Sequence, residues 1–420
     1  MDELHHFRPR TEEEVRAALL EIRRRGWKAL PTGAGTKLPW LRSREQGYNT
    51  VVRVSTALLR EVTDLDPENL TVSAQAGLSL QDLQSALAGH GQWLPLESPW
   101  GEEASLGGIV SSGLPGPLAF GYGSPRDLVL GVRAVLPGGG TVRFGGKTVK
   151  NVAGYDVSKL FVGSLGTLGV VTEITFRLRP LPRADSTLLF TASSAQRLEE
   201  ALELLLRAPQ PIVAVEVLNE GAMRRVRWPL PRAAESLGAA VRLQGTRAVV
   251  AMAADRLSKE LVRSDPESRL EALEGPQSGA FWNRSFRELY TGWAKDSVVF
   301  RLRTRVRNVV EIFRALAADP EAVLWMGAGT GQGYLRYVRQ NLGNGLPDFL
   351  LWLRRSLAPL AARVDLLCMP GADWLKPAWS SLPLWDVHPG AYRRMVQIRE
   401  VFDPQRIMAP YPPFEELDGR

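Results

Sequence analysis

Hydrophobic and polar positions in the first hundred residues predict short helices and strands in alternation. TEEEVRAALLEIRRR has apolar residues at helical spacing, Thr11 as an N-cap, a Glu three residues later and Arg residues in its last turn. It therefore predicts a helix that ends at Gly26. WKALPT and TVVRVS are typical of strands, and PTGAGTK is typical of a tight turn. LTVSAQ predicts a further strand, followed by a helix that Ser79 caps and Gly91 terminates.

A glycine-dense segment follows at residues 98–125. Its sequence, SPWGEEASLGGIVSSGLPGPLAFGYGSP, is too long for an idle connection, so it predicts a functional loop. Between residues 128 and 180 the strand pattern returns, with a turn at PGGG. RPLPRAD, from Arg179 to Asp185, interrupts that pattern. We place the domain boundary there, with one domain over residues 1–182 and a second over residues 183–420.

The second half of the chain repeats a strand–helix–strand pattern. STLLFTAS, a helix from about Ala195 to Arg207 and PIVAVEVLN form one unit, and the stretch from SVVFRLR to AVLWM forms another. RAVVAMAA is interpreted as a strand and DRLSKELVRSD as the helix after it. ARVDLLCMP predicts another strand and YRRMVQIREVF a closing helix. Together they predict an α+β fold whose second domain has an antiparallel sheet backed by helices on one face.

Composition narrows the class of protein. A chain of 420 residues exceeds what one hydrophobic core usually supports, which agrees with two domains. No apolar stretch is long enough to span a bilayer, and the start, MDELHHFRPRTEEE, is unlike a secretory signal, so we expect a cytoplasmic protein. Cys368 is the single cysteine. An iron–sulfur or structural zinc centre must therefore belong to a partner.

The net charge of +7 raises the question of a nucleic-acid partner. The excess Arg residues are scattered along the chain and no recognition motif accompanies them, so we expect no nucleic-acid binding. Weak attraction to an anionic membrane surface stays open.

Two nucleotide-binding patterns nearly match and fail. GKT at residues 146–148 ends like a P-loop, but Thr141 stands where that motif needs a Gly. GAGTKL at residues 33–38 lacks the third glycine of a dinucleotide-binding loop, and a proline follows it. PTGAGTK still offers backbone N–H groups and Thr hydroxyls that can converge on a pyrophosphate. An ordinary glycine-rich hairpin is the alternative when this motif is taken alone.

Four ordered segments in the first 180 residues resemble the FAD-linked oxidase (vanillyl-alcohol oxidase, PCMH-type) family. Pro31 to Lys37 resembles the family's pyrophosphate loop, Ser98 to Ser112 its second flavin loop, and Gly121 to Gly123 its Y-G turn. The fourth, KTVKNVAGYDVSKLFVGSLGTLGVVTE at residues 147–173, is particularly similar to the flavin subunits of bacterial glycolate oxidase. The resemblance implies FAD contacts at these positions: Pro31, Thr32, Gly33, Ala34, Gly35, Thr36, Lys37, Ser98, Pro99, Ala104, Ser105, Gly107, Gly108, Ser111, Ser112, Gly121, Tyr122, Gly123, Gly166, Gly169 and Val171.

The resemblance also implies how FAD is held and used. An FAD between two small subdomains needs backbone donors at its phosphates and small residues beside its rings. The flavin loops contain neither His nor Cys, so we expect a non-covalent cofactor. By resemblance, the chain joins a related catalytic flavin subunit and an iron–sulfur subunit in a complex that oxidises glycolate to glyoxylate. Peripheral association with the membrane through that complex stays open.

The second domain departs from the family where a 2-hydroxy acid dehydrogenase would act. Related dehydrogenases have a segment like H-A-G-D-G-N-L-H, and this chain has GAGTGQGY from Gly327 to Tyr334. Tyr334 is the one titratable residue left in that segment to take a hydroxyl proton. FDPQRIMAP near the end has Ala409 where the family has Asn. No metal is expected, because the histidines are dispersed without ligand spacing: His5, His6, His90 and His388.

One strand could still bind an acid. In VVFRLRTRVRNVV, four arginines alternate with other residues, which at strand period puts them on one face: Arg301, Arg303, Arg305 and Arg307. Such a row suits a carboxylate or an acidic partner surface, and a solvated sheet face is the alternative. Catalytic residues stay unassigned. We prefer an electron-transfer or structural FAD subunit; a self-sufficient FAD-dependent 2-hydroxy acid dehydrogenase and a non-enzymatic flavin-binding scaffold are the alternatives.

Overall fold

The chain divides into two compact units. Unit 1 is drawn from Met1–Gly116, Gly123–Leu181 and Val387–Arg420, and unit 2 from Pro117–Tyr122 and Pro182–Asp386. This computed structural model describes residues 6–36, 50–98, 101, 103–146, 155–208, 211–231, 236–290, 297–317, 319, 321–338, 345–368 and 385–409. The division differs from a single boundary near residue 182, because the last helix belongs to unit 1 and a short segment after Gly116 belongs to unit 2.

The strands among the described residues fall into four sheets. In unit 1 they are β1 His6–Phe7, β2 Lys28–Thr32, β3 Val51–Ser55, β4 Val62–Asp66, β5 Thr71–Gln75, β6 Gln92–Trp93, β7 Val129–Val135, β8 Thr141–Gly145, β9 Val170–Arg177 and β10 Arg179–Pro180. In unit 2 they are β11 Ala184–Thr191, β12 Ile212–Leu218, β13 Gly238–Gly245, β14 Arg269–Glu274, β15 Ser297–Arg303, β16 Val323–Gly327, β17 Gln332–Val338 and β18 Arg363–Cys368.

The helices connect and cover these sheets. They are α1 Glu12–Arg24, α2 Leu80–Ala88, α3 Leu106–Ser112, α4 Ala119–Tyr122, α5 Pro125–Leu128, α6 Ser158–Phe161, α7 Ala195–Arg207, α8 Glu220–Arg225, α9 Arg247–Ser264, α10 Pro276–Ser285, α11 Val309–Ala315, α12 Leu346–Leu357 and α13 Pro389–Phe402. A π-helical turn, Phe286–Tyr290, continues α10. Within the described part of the chain, no helix is long and apolar enough to cross a membrane.

Unit 1 contains a parallel and an antiparallel sheet. β2 and β3 run parallel, with Lys28 opposite Val51 and Thr32 opposite Ser55. The antiparallel sheet has the strand order β4-β5-β9-β7-β8. The predicted first helix is confirmed, because the Thr11 side chain accepts the backbone N–H of Glu14. The Ser79-capped helix and the hairpin at PGGG are also confirmed.

The glycine-dense segment after residue 98 is wrongly interpreted as one long loop. It contains α3, which begins after Ser105 and ends at Gly113 in the left-handed conformation. Ile109 and Val110 of this helix are buried in a core of unit 1. A hydroxyl cap at one end and a left-handed glycine at the other therefore allow a short helix even in a glycine-rich sequence.

The described strands of unit 2 form one antiparallel sheet, as predicted. This sheet has eight strands in the order β14-β11-β13-β12-β16-β17-β15-β18. Alternate residues of a strand point to opposite faces. On β11, Leu188 lies in the main core with side chains of α7, α9, α11 and α12. Its neighbour Thr187 accepts a hydrogen bond from Trp282 of α10. The predicted helical layer covers one face, and α10 packs on the other.

The interpretation of RAVVAMAA as a strand is wrong. It is the first half of α9, and the preceding residues Gly238–Gly245 form the strand. Val250, Ala253, Leu257 and Leu261 are buried at intervals of three and four residues, which is the helical period. A short apolar run does not distinguish a strand from a buried helix segment, so length and burial decide.

Candidate functional site

The candidate site is a cleft in unit 1. It lies at the carboxyl ends of β2 and β3, next to α3 and the segment before β9. The residues that line it are small or apolar: Pro31, Thr32, Gly33, Ala34, Gly35, Thr36, Thr56, Ser105, Gly107, Gly108, Ser111, Ser112, Leu165, Gly166, Gly169, Val170 and Val171.

The first wall comes from the ends of two parallel strands. The carboxyl ends of neighbouring parallel strands lie at the same edge of a sheet. The backbone N–H of Thr56, just after β3, donates to the Thr32 carbonyl at 2.8 Å. The Thr56 hydroxyl donates to the same oxygen at 3.3 Å. The glycine turn that follows Thr32 is therefore held against the end of β3.

The second wall is the start of α3, which packs closely against this glycine turn. A β-carbon on Gly33 would lie 1.9 Å from the Ser105 hydroxyl oxygen. That hydroxyl also accepts the backbone N–H of Ala34 at 3.4 Å and of Gly108 at 3.3 Å. A glycine at position 33 is thus required by the close approach of α3 to the turn.

The third wall is the segment before β9. The backbone N–H of Leu165 donates to the Ser111 carbonyl at 2.8 Å, which fixes the segment against α3. Gly166 has a φ of 75°, and a β-carbon there would lie 3.1 Å from Pro31. Three separated parts of the sequence therefore close around one cleft.

The C-terminal segment pairs with β2, whose carboxyl end forms part of the first wall of the cleft. Ala409 donates its backbone N–H to the Ala29 carbonyl at 2.7 Å, and Ala29 donates to the Ile407 carbonyl at 2.8 Å. This extends the small parallel sheet beyond β2. Ala409 also packs in a buried cluster that Leu165 contacts.

The side chains that line the cleft present an uncharged surface to a ligand. None of the lining side chains that the structure describes is titratable. They offer hydroxyl groups, backbone amides and apolar contacts, which fit phosphate oxygens and flat rings. The residues present therefore fit an extended phosphate-containing cofactor. A reaction that transfers a proton would need a titratable group from outside this lining.

A comparison with known families decides what this cofactor is. Residues 4–145 match the family model described as an FAD binding domain. Over these residues the chain is similar to an FAD binding domain. This confirms the predicted resemblance to FAD-linked oxidases and the predicted cofactor, FAD.

Two relatives are similar to this chain over part of their length. Glycolate oxidase subunit GlcE of Escherichia coli (strain K12) is 46% identical over 154 residues, which cover 36% of this chain and 44% of that protein. Glycolate oxidase subunit GlcD of Bacillus subtilis (strain 168) is 34% identical over 181 residues, or 43% of this chain and 38% of that protein. The chain spans less than half the length of these relatives in the matched regions.

A solved structure supports the fold of the whole chain. Alkyldihydroxyacetonephosphate synthase has a TM-score of 0.71 and 15% sequence identity, over 97% of this chain and 76% of that chain. At this identity the likeness shows the fold alone, and it agrees with the predicted α+β class.

Unit 1 brings most of the predicted FAD-contact residues together in the cleft. Lys37 and Pro99 lie outside the described residues. Ser98 and Ala104 are buried in unit 1 but do not line the cleft. Gly123 follows the short helix α4 and packs against Asp127.

Two predicted residues lie in unit 2. Gly121 approaches the backbone of Val213, and the Tyr122 hydroxyl donates to Gln244 Oε1 at 3.0 Å. Their assignment to FAD, like that of the other residues, stays a prediction. The observed contacts are to β12 and β13.

Sequence reasoning missed three residues that line the cleft: Thr56, Leu165 and Val170. The position of Thr56 in the cleft could have been predicted, because Thr56 follows a strand that could pair in parallel with KALPT. Leu165 has a φ of 54°, which its sequence position does not reveal.

The predicted row of four arginines is wrong. β15 ends at Arg303, and the exposed Arg305 and Arg307 belong to the turn that follows. Arg301 donates from Nε and Nη2 to Asp365 at 2.8 and 2.6 Å, and Arg303 donates to Asp365 at 3.1 Å. Asp365 of β18 is fully buried, so Arg301 and the partly exposed Arg303 pair with a buried carboxylate and do not form a solvated row.

Tyr334 is buried in an aromatic cluster of unit 2. Its ring lies 5.5 Å from that of Trp325 and 5.4 Å from that of Tyr290. Burial raises the pKa of its hydroxyl well above the usual range; the positive charge of Arg301 opposes this and the negative charge of Glu216 adds to it. The hydroxyl is therefore protonated at neutral pH, which makes it a poor proton acceptor.

The histidines that the structure describes perform local roles. His388 caps α13, where its Nδ1 accepts the backbone N–H of Gly390 at 3.1 Å. His6 is an exposed residue of β1; partial desolvation of its ring lowers its pKa, and the positive charges of Arg8 and Arg53 lower it further. His90 is exposed after α2, and His5 lies outside the described residues.

Proposed function

We propose that this chain is the FAD-binding electron-transfer subunit, corresponding to the E subunit, of a complex that oxidises glycolate to glyoxylate. In this proposal it works with a related catalytic flavin subunit and an iron–sulfur subunit. The complex is cytoplasmic and associates peripherally with the inner face of the membrane. The observation that carries the proposal is a cleft whose described lining fits FAD but has no titratable side chain.

The lining residues would hold different parts of FAD. Backbone amides of the turn from Gly33 to Thr36, with the hydroxyls of Thr36 and Ser111, would meet the phosphates. Small residues such as Gly108 and Gly166 would leave room for the rings. When bound, FAD accepts and passes on electrons. The role of these residues is to bind and orient it and to exclude water.

Two features of unit 2 support transfer of electrons rather than oxidation of substrate by this chain alone. Removal of a hydride from a 2-hydroxy acid needs a group that takes the hydroxyl proton. Tyr334 retains its own proton at neutral pH. Arg301, one of the four arginines that could bind a carboxylate, already donates twice to Asp365.

The first experiment examines the purified chain under anaerobic conditions. We expect a flavin spectrum, release of FAD on heat denaturation, and no bleaching when glycolate is added. Bleaching by glycolate or D-lactate without any partner would instead support a self-sufficient dehydrogenase. A colourless chain whose thermal stability does not rise with added FAD would support a scaffold without cofactor.

The second experiment tests electron transfer directly in the reconstituted complex. Gly33→Val should empty the cleft, because even a β-carbon at this position collides with Ser105. Gly89→Ala is the matched control, since Gly89 has open space around it. We expect the Gly33→Val complex to assemble but to lose electron throughput to an external acceptor. Unchanged throughput with an FAD-free variant would refute the electron-transfer role.

A further inference from the structure

Unit 2 presents four arginines where β15 ends and β18 begins. Arg305 and Arg307 are exposed in the turn that follows β15, and Arg303, the last residue of β15, has 37% of its side chain exposed. Arg363, the first residue of β18, lies directly opposite Arg303, and 45% of its side chain is exposed. We call these four residues the arginine patch. The described residues that line the cleft of unit 1 include none of them.

The turn after β15 is fixed on two sides. The Thr304 hydroxyl and the Asn308 side-chain amide both donate to the Leu360 carbonyl, at 2.8 and 2.7 Å. On another side, Thr304 donates its backbone N–H to the Gly331 carbonyl at 2.8 Å. Leu360 comes three residues before Arg363, so these bonds also hold the turn next to the start of β18. The arginines of the turn therefore extend from a fixed backbone, which lowers the entropy lost when a partner binds.

Two aspartates neutralise part of the charge beside the patch. Asp365 is shared between two arginines, because it pairs with Arg301 at 2.6 Å and with Arg303 at 3.0 Å. Asp386 pairs with Arg363 at 3.0 Å, so two carboxylates serve three guanidinium groups. Burial lowers the pKa of Arg303; the charge of Asp365 opposes this and that of Arg301 adds to it. A further carboxylate next to Arg303 would offset part of the cost of its burial.

The two arginines of the turn have no counterion among the described residues. Neither Arg305 nor Arg307 takes part there in a side-chain hydrogen bond or an ion pair. With Arg301 included, five arginines face two aspartates, which leaves an excess of three positive charges in a chain whose net charge is +7. Such a concentration of one sign of charge attracts a partner of the opposite sign.

The shape and composition of the patch favour a protein as that partner. Val306 lies between the two exposed arginines and is itself 40% exposed. Arginine next to exposed apolar side chains is typical of protein interfaces. Arg303 is more buried than the arginines of the turn. Carboxylates that project from a protein segment can reach such a recessed guanidinium and bind it through two hydrogen bonds, whereas a flat layer of lipid headgroups meets the raised arginines alone.

We propose that the arginine patch binds a carboxylate-rich segment of a partner protein. Carboxylates of this segment pair with Arg305 and Arg307, and a further one lies beside Arg303, where the shared Asp365 leaves the charge incompletely balanced. An apolar side chain of the segment covers Val306. The proposal concerns unit 2 alone and does not depend on the function proposed for the cleft of unit 1.

Fluorescence anisotropy of a labelled EEELEEE peptide with the full chain tests the patch at low ionic strength. We expect saturable binding that weakens as KCl is added, because salt screens exposed ion pairs. A QQQLQQQ peptide should not bind. Arg305→Gln with Arg307→Gln should raise the EEELEEE Kd about 3- to 30-fold, the effect of losing two exposed ion pairs. The Tm of this variant should stay unchanged, because neither side chain has a partner among the described residues.

A second double variant separates the patch from the general positive charge of the chain. Arg393→Gln with Arg394→Gln removes two exposed charges from α13 of unit 1 and should leave the EEELEEE Kd unchanged. Phosphatidylglycerol vesicles and a short DNA duplex represent the other anionic partners, and the change at Arg305 and Arg307 should weaken their binding less than that of the peptide. No saturable peptide binding, an equal loss in the two double variants, or a larger loss for vesicles or DNA than for the peptide would overturn the proposal.

Discussion

The hydroxyl oxygen of Ser105 occupies the space that the side chain of any other residue at position 33 would need, because it lies 1.9 Å from the point where a β-carbon on Gly33 would stand. Ser105 also accepts the backbone N–H of Ala34 in the same turn. The turn after β2 and the start of α3 are thus fitted to each other. The geometry of the cleft depends on this contact.

Gly33→Ala is expected to weaken FAD binding by about 5- to 150-fold, because overpacking of about 1 to 3 kcal/mol must be relieved by moving the two walls apart. Titration of the FAD-depleted protein, followed by flavin fluorescence, measures the Kd. Gly33→Ala combined with Ser105→Gly should recover part of the affinity. If the double variant binds no better than Gly33→Ala alone, the collision is not the cause.

Asp403→Asn is expected to loosen the C-terminal segment behind the cleft. The Asp403 oxygens accept the backbone N–H groups of Ile407 and Met408, each at 2.8 Å, and the residue is 1% exposed. The NH₂ group of an Asn would face one of these backbone N–H groups. Two donors that face each other leave a buried polar group without a partner, which costs about 1 to 3 kcal/mol. Urea unfolding measures the loss. Asp156→Asn, at a half-exposed carboxylate in the same unit, should change stability much less.

The same variant should show a defined pH dependence. Burial raises the pKa of Asp403, against hydrogen bonds from Ile407 and Met408 and the charges of Arg399 and Lys28. The folded state therefore holds this proton more tightly than the unfolded state, and the resulting stability is lost as pH rises through the raised pKa. The destabilisation by Asp403→Asn should be larger at pH 4 than at pH 7. A constant difference between these pH values would contradict the raised pKa.

Local signals account for the parts of the fold that the sequence predicted. Thr11 and Ser79 cap helices through their own hydroxyls, and PGGG forms a turn from its own residues. The strand prediction for RAVVAMAA was wrong, because an apolar run of eight residues fits both a strand and a buried helix. Only its packing in unit 2 distinguishes the two structures.

Contacts between residues far apart in the sequence account for the features of the structure that were not predicted. Asp365 meets Arg301 across two neighbouring strands that are far apart in the sequence, so no local pattern reveals that the arginine is already paired. The return of Ile407 to β2 likewise joins the two ends of the chain. Thr56 enters the cleft only because β3 pairs in parallel with β2.

Asp365→Ala is expected to destabilise unit 2 by about 3 to 5 kcal/mol, because it leaves the buried Arg301 and the neighbouring Arg303 without their shared countercharge. Arg363→Ala, which breaks a partly exposed pair with Asp386, should cost less than about 1 kcal/mol. Denaturant unfolding measures both. Arg301→Met with Asp365→Leu should cost less than the two single changes combined. Strict additivity would argue against a coupled pair.

Tyr334→Phe is expected to leave glycolate turnover by the assembled complex nearly unchanged. Burial holds the pKa of the Tyr334 hydroxyl above the usual range, so at neutral pH the group keeps its proton and cannot accept another from a substrate. Loss of a true general base would lower turnover on the order of 100-fold or more. Stopped-flow reduction by glycolate measures the effect, with Tm as a check on folding. A 100-fold fall at unchanged Tm would make Tyr334 a catalytic residue and would favour oxidation of the substrate by this chain itself.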